Sequence, residues 1–395
     1  MLFVNLNAGM GVHQIALADA MYSCLGDKFK FIEFGAQSEE LKNMHKEAES
    51  GIDYSDRPYI INMHASEKNK ALAMKLIDEA DAMRVGGEPF ELIKQRLVNH
   101  KLTFRSSERI FRKRYTMFSP RGWKYLYEIH RKYENPNYRL LCQSAYLAND
   151  MSLLRAYQNR MYKFAYFTHQ PQLCIENKIK EHRGSKIQIL WCARFIDLKH
   201  PEMMVGLAQK LIKSGRLNFH IKMIGGITEL WHQIKRGIQN RGLESWITLT
   251  GGLPNDEVLK TMRESHIFAF TSDRNEGWGA VLNEAMGAGC ACISSHDIGA
   301  TPYLIKDGFN GLVFKSQSLD SLFCKTCLLY DNIELRERLS LSAYETMAKK
   351  WSPHTAAQRL VAMSENILLG KEISFDDGPC SIAQPINKHK EWMSF

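Results

Sequence analysis

Two glutamates frame a glycine loop in the second half of the chain. The run RNEGWGAVLNEAMGAG, Arg274 to Gly289, sets Glu276 directly before Gly277-Trp278-Gly279 and Glu284 eight positions further on. Val281 to Met286 has helical spacing, so the loop opens through Ala280 and Val281 onto a helix. Loop glycines leave backbone N–H groups open, and a helix start adds the positive end of a dipole. Together they form a seat for an anion such as a diphosphate. Glu284, about one helical turn inside, is within reach of ribose hydroxyls, work that acidic residues do in other nucleotide folds. Glu276, at the loop mouth, can orient hydroxyls of a sugar.

This pattern resembles the Glu–seven residues–Glu motif of retaining GT-B glycosyltransferases, especially family 4 (glycosyl transferases group 1). The likeness continues through AMGAGCACISSHDIGATPYLIKDGFNGLVF, although the acid that the family usually carries near Thr301-Pro302 is missing. Upstream, ILWCARFIDLKHPEMMV is similar to the family's strand–loop–helix in which an Arg and a Lys grip the diphosphate. The resemblance assigns those roles to Arg194 and Lys199. Chemistry agrees, since Arg can fork two phosphate oxygens and Lys supplies a point charge. The family usually has Gly where this chain has Ala193 and His200, which bears on the local backbone.

Gly9-Met10-Gly11 looks like the glycine loop with which the family's first lobe reaches donor phosphates and acceptor. It is not a dinucleotide fingerprint, because the third glycine of G-x-G-x-x-G would fall on Gln14. His13 beside it either lines the site or is structural. The resemblance places a first-lobe histidine near Arg105, in LTFRSSER, a stretch similar to one in a bacterial polysaccharide and cell-surface glycan subset. Arg105, Glu108 and Arg109 are thus candidates for acceptor or sugar binding, with an ion-paired loop as the alternative. His64 and His169 are further candidates.

These residues need elements to hold them. In the first half, strand patterns at Leu2–Leu6, Phe29–Phe34, Tyr59–Met63, Asp81–Val85, Leu102–Phe104 and Tyr138–Cys142 alternate with helical ones at His13–Cys24, Ala71–Ile77 and Ser144–Tyr157. Such alternation predicts a parallel sheet covered on both faces. The polar stretch from Gln170 to Lys186 reads as a linker. The second half repeats the alternation, with strands at Ile187–Cys192, Phe219–Ile224, Ile247–Thr250, His266–Thr271, Cys290–Ser294 and Gly311–Phe314. Several end in glycine or polar residues, as at Gly225-Gly226 and Gly251-Gly252, which marks a ligand crevice at their carboxyl ends. The base of a nucleotide is expected near the Thr250–Leu253 turn, with Gly251 and Leu253 as contacts. The fold class is therefore α/β. By resemblance it is GT-B, with two Rossmann-like domains facing across a cleft and a C-terminal helix crossing back. The expected bounds are residues 1–172 for the acceptor domain, 185–350 for the nucleotide-sugar donor domain, 351–369 for the crossing helix, and 370–395 for a tail, mobile from Ile373.

The bulk properties fit. The 395 residues are 45% hydrophobic and 24% charged, a globular composition with room for two domains. The net charge of +9 is concentrated in residues 101–140, which hold eleven Lys and Arg against three Asp and Glu, interleaved with aromatics. That segment suits an anionic membrane surface or an acidic acceptor; the alternative is a solvated face above a core aromatic stripe. Nucleic acid is not expected, for lack of a recognition module. Nine cysteines lack a framework, and Cys324 and Cys327 sit in an apolar helical stretch, so neither disulfide nor metal is expected. The amino-terminal residues lack a signal pattern and no apolar run reaches membrane length. The chain is expected in the cytoplasm, or peripherally at the inner face of the membrane. The function expected from the resemblance is transfer of a sugar from a UDP- or GDP-linked donor to a hydroxyl of a glycan or lipid-linked glycan, with retention and no required cofactor. The alternatives are a nucleotide-sugar epimerase of the same architecture and a catalytically silent binding subunit.

Overall fold

The computed structural model describes residues 1–35, 56–87, 89–112, 119–169, 173–371 and 373–386. The chain divides into two compact units. The first comprises residues 1–169 together with the chain from Trp351, and the second comprises residues 170–350.

The first unit is built on β1 (Phe3–Asn7), β2 (Phe29–Glu33), β3 (Ile60–Asn62), β4 (Ala82–Val85), β5 (Leu102–Ser107), β6 (Tyr138–Cys142) and β7 (Met161–Lys163). All are parallel, in the order β3-β2-β1-β4-β5-β6-β7. The second unit holds β8 (Ile187–Cys192), β9 (Phe219–Ile224), β10 (Ile247–Thr250), β11 (Ile267–Phe270), β12 (Ala291–Ser295) and β13 (Leu312–Phe314). They too are parallel, in the order β10-β9-β8-β11-β12-β13. Each sheet reverses direction once, between β1 and β4 and between β8 and β11, so each unit is Rossmann-like. Such a reversal splays the loops on either side and leaves a ligand crevice at the strands' carboxyl ends. The strands are mostly buried because helices cover both faces, and β11 is apolar and buried along its whole length.

Buried cations tie helix ends to the sheets. Arg96 is 1% exposed. It donates to the carbonyls of Ile77 (3.1 Å), Ala80 (2.6 Å) and Leu102 (2.7 Å), and to Thr103 Oγ1 (3.1 Å). The cation thereby satisfies the carboxyl end of helix Glu67–Glu79, where the dipole favours positive charge. Lys178 does the same in the second unit. Its ammonium is buried and donates to the carbonyls of Ala288 (2.8 Å), Gly289 (2.6 Å) and Met262 (3.4 Å).

Lys178 belongs to helix Ile175–His182, inside the stretch read as a linker. Its polar sequence hid the helix, because only Ile175 and Lys178 are buried. The tail is corrected as well: residues 378–383 run along the edge of β7, not free of it. Cys380 N–H donates to Lys163 O (2.8 Å), Lys163 N–H to Ser381 O (2.7 Å), and Ala383 N–H to Met161 O (2.9 Å). Helix Ser144–Tyr157 is cut to Leu147–Leu154, where Arg155 turns left-handed at φ 51°. Helices Phe90–Val98, Pro120–His130 and Ile333–Glu345 add to the predicted set. Helix Pro353–Leu368 lies in the first unit and packs on helix Val12–Leu25.

In the basic segment, residues 113–118, including Tyr115 and Phe118, lie outside the described residues. Phe111 and Tyr138 are core, whereas Tyr125 and Tyr127 stand exposed on helix Pro120–His130. All nine cysteines are free. Among the described residues no helix is long and apolar enough to cross a membrane, and no cluster of His, Cys, Asp and Glu could hold a metal.

Gly289 ends helix Val281–Gly287 in a Schellman motif, with Cys290 N–H on Ala285 O and Gly289 N–H on Met286 O, both 3.0 Å. Its φ is +69°, and a Cβ there would stand 2.3 Å from Ile175 Cδ1. Gly289→Ala should cost about 1–2 kcal/mol from the backbone alone. The measurement is the thermal midpoint of the full chain, which should fall by a few degrees.

Candidate functional site

The loops after β8 and β11 carry the two sequence motifs, and the sheet reversal brings them together. Lys199 ends the 3-10 turn Asp197–Lys199 and is buried. Its ammonium forms an ion pair with the Glu276 carboxylate, with both side chains mostly enclosed. The same ammonium lies 5.6 Å from the centre of the Phe270 ring, a cation–π contact.

The pair is held by a chain of bonds through the sheet. Buried Trp191 of β8 donates its indole N–H to Thr271 Oγ1 (2.8 Å), and the Thr271 hydroxyl donates to Lys199 O (2.6 Å). Asp273 N–H donates to Leu198 O (3.0 Å), so the two loops are joined backbone to backbone. Asp273 also shapes the Glu276 side. Its Oδ1 accepts from Asn275 N–H (2.8 Å), and its carbonyl accepts from Glu276 N–H (3.0 Å).

The glycine loop comes next. Gly279 has φ +91°, and a Cβ on it would lie 2.6 Å from two ring atoms of Phe270. Gly277 is buried. Trp278, 1% exposed, donates to Asn283 Oδ1 (2.9 Å) and so fastens the loop to the helix it precedes. Helix Val281–Gly287 starts at Ala280 with no side-chain cap, and Leu282 N–H donates to Gly279 O (3.0 Å).

Glu284 is the acid of that helix's first turn, and burial raises its carboxyl to about 7. Cys192 at the end of β8 senses both sides of the site. Burial pushes its thiol up to about 12, with Glu284 adding to the rise and Lys199 opposing it. Lys199, Glu276 and Glu284 therefore share one neighbourhood. Arg194, two residues past β8, is exposed, and among the described residues its side chain makes no hydrogen bond or ion pair.

The glycines of β9 and β10 border this region. A Cβ on Gly225 would stand 2.0 Å from Ala193 O, so the turn after β9 packs against the turn after β8. Gly251 and the partly exposed Leu253 follow β10, and a Cβ on Gly251 would meet only Ile227, at 3.7 Å. Ile227 itself is 62% exposed.

The first-unit candidates have their own settings. Gly11 is extended (φ −145°, ψ 167°) and precedes helix Val12–Leu25, so its backbone would accept any residue. A Cβ on Gly9 would come no nearer than 3.9 Å to Glu33 Oε1, which holds Met10 N–H at 2.7 Å. His13 is exposed, 5.9 Å from the Tyr166 ring. His64 is exposed and bonded through Nε2 to Phe34 O (2.8 Å). Arg105 is 4% exposed and donates to Gly87 O (3.3 Å). Glu108 pairs with Arg112 (2.6 Å) and accepts from Tyr166 O–H (2.9 Å), while Arg109 lies 3.6 Å from Asp150 Oδ2. Glu108 and Arg109 are thus each ion-paired within the first unit.

Sequence reasoning missed two residues that shape the site, Lys178 and Asp273, and marked His200 only as a position where a glycine is usual. Lys178 was hidden in the supposed linker. Asp273 stands one residue before the recognised motif. His200 follows Lys199 and adopts the left-handed conformation (φ 49°, ψ 54°). The glycine that the family usually carries there was the available signal.

Residues 175–346 match the family glycosyl transferases group 1. An uncharacterized glycosyltransferase of Methanocaldococcus jannaschii is 30% identical over 158 residues, 40% of this chain and 43% of that protein. The alpha-D-kanosaminyltransferase of Streptomyces kanamyceticus is 26% identical over 180 residues, 45% of each. The matches thus span less than half the length of these curated relatives. The Anabaena protein HepE, solved in complex with UDP, superposes with a TM-score of 0.66 at 13% identity, over 93% of this chain and all of that one. The same protein has been solved with UDP-glucose. The chain thus has the GT-B fold, and its residues 175–346, which carry the loops described above, match the glycosyl transferases group 1 family.

Proposed function

We propose that the protein is a retaining glycosyltransferase that takes a sugar from a UDP- or GDP-linked donor held on its second unit. The single observation that carries this reading is the Lys199–Glu276 pair beside Glu284 at the sheet reversal, in a domain of the group 1 family. The uridine nucleotides bound by HepE favour UDP as the first donor to test.

In this reading the diphosphate lies against Lys199, Arg194 and the glycine loop that leads into helix Val281–Gly287. Exposed Arg194 has no internal partner to give up among the described residues, so it can close on phosphate oxygens as a fork. Glu284 meets the ribose hydroxyls. Its burial keeps much of it protonated near neutral pH, and it can then donate as well as accept. The base lies by Gly251 and Leu253, with exposed Ile227 as an apolar support. Glu276, fixed by Lys199, orients the sugar's hydroxyls. An acceptor hydroxyl attacks the anomeric carbon from the face the diphosphate leaves. Negative charge grows on the departing diphosphate, and preorganised cations and N–H groups stabilise it most at that point. The leaving oxygen can take the acceptor's proton, so the chain need supply no nucleophile. We place the acceptor among surface glycans or glycolipids. The support is the LTFRSSER resemblance and the basic helix Pro120–His130, whose exposed Tyr125 and Tyr127 suit a membrane surface.

Three outcomes are expected. In a thermal-shift series against UDP, GDP and their sugars, one nucleotide should raise the midpoint, and failure of every nucleotide would refute the reading. Lys199→Met should lower the turnover number about 100-fold or more, since it removes one preorganised donor to the leaving group; transfer within a few-fold of wild type would remove Lys199 from the mechanism. The third concerns Glu284. Its folded pKa near 7 lies above the ordinary 4.5, so the folded state keeps a proton that the unfolded state releases. Stability should therefore fall as pH rises from 4.5 to about 7 and level off above that. Glu284→Gln should flatten this slope in midpoints measured from pH 4.5 to 8, while weakening nucleotide binding.

A further inference from the structure

His200 occupies a backbone conformation that costs a residue with a side chain about 1–2 kcal/mol. Its φ is 49°, in the left-handed region, immediately after Lys199. Glycine would take that position without strain, so the imidazole must contribute something the turn needs. Both of its nitrogens face carboxylates. Nδ1 lies 2.9 Å from Glu202 Oε1, at the start of helix Glu202–Lys213, and Nε2 lies 3.3 Å from Asp273 Oδ2, in the loop after β11.

Asp273 is the hub of that second loop. Its Oδ1 is taken by Asn275, its carbonyl by Glu276 N–H, and its own N–H by Leu198 O. Oδ2 faces His200. The imidazole is thus a side-chain link between the helix that follows Lys199 and the loop that presents Glu276.

We propose that His200 is a positioning residue for the donor site, acting as a doubly bonded imidazolium that holds the Lys199 turn in register with the Glu276 loop. The role rests on the functional reading given above. A neutral imidazole has a single N–H and can donate to only one of the two carboxylates, so the bridge is complete only in the protonated form. The charged groups facing the ring are Glu202 from the helix and Asp273 from the loop, with the Lys199–Glu276 pair adjacent. Hydrogen bonding to Glu202, with Asp273 adding to it, holds the imidazole's pKa above its ordinary 6.5 against the opposing effect of burial. The link is therefore complete below 6.5 and is lost as pH rises through that higher value.

The test compares wild type with His200→Asn and His200→Gly. Asn tolerates the left-handed backbone and keeps a polar side chain but does not titrate; Gly fits the backbone without strain. Binding of UDP by calorimetry, and of GDP if the nucleotide screen selects it, would be followed from pH 5.5 to 9 in all three proteins. Thermal midpoints and the imidazole C–H resonances would be followed alongside. Beyond the change common to all three proteins as Glu284 titrates near 7, wild type should lose affinity by about three- to tenfold across the titration of one histidine whose resonance disappears in both variants. The variants should start at the weaker affinity and lack that step, while keeping folded midpoints near wild type. If either variant keeps the wild-type pH step, the positioning role is overturned while the functional reading stands. If wild type binds no nucleotide at any pH, the functional reading falls and this role falls with it.

Discussion

An ion pair formed across 77 residues of sequence organises the second unit. Lys199 and Glu276 meet because β8 and β11 are neighbours at the point where the sheet reverses. Neither group could be enclosed alone without a large desolvation penalty. Together they can be, and the enclosure sets the geometry of both loops. Removing one partner would strand the other, which is why such pairs constrain structure more than they stabilise it.

Much of the surrounding packing keeps that pair in place. Trp191, Thr271 and the Lys199 carbonyl form a relay from the sheet interior to the turn. Phe270 lies close under both the Lys199 ammonium and Gly279, and it leaves no space for a Cβ on that glycine. Behind these, Lys178 fastens the carboxyl end of the short helix that bears Glu284. Seven residues make about two turns, so fixing one end of this helix largely fixes the other. Under the proposed function, a seat assembled this way would need little rearrangement when charge develops on a leaving group.

The first unit uses its buried cations differently. Arg96 is occupied entirely by backbone carbonyls and a threonine, and Arg84, 4% exposed, donates to Ser106 Oγ and Asn5 Oδ1. Burial lowers both guanidinium groups to about 10. These arginines join strand to strand and helix to sheet. The positive charge that dominates the composition of residues 101–140 is thus divided between buried joints such as Arg105 and an exposed helix face bearing Arg121, Lys124, Tyr125 and Tyr127.

Local sequence determined every described strand but the short β7, because apolar runs ended by glycine or polar residues need only short-range information. It also placed Arg194 and Lys199 in the loop after one strand and Glu276 and Glu284 in the loop and helix after another, past the carboxyl ends of a parallel sheet. Tertiary structure alone decided strand order, and with it the meeting of Lys199 with Glu276, since a reversal in the sheet leaves no mark on either strand's own composition. It likewise decided that polar Ile175–His182 is a helix, because one buried lysine meeting three distant carbonyls outweighs a weak apolar stripe. The tail's course along β7 rests on backbone bonds, which side-chain patterning does not record. His200 lay between the two cases: its position stood out in the sequence, but its two carboxylate partners came from elements that only folding brought together.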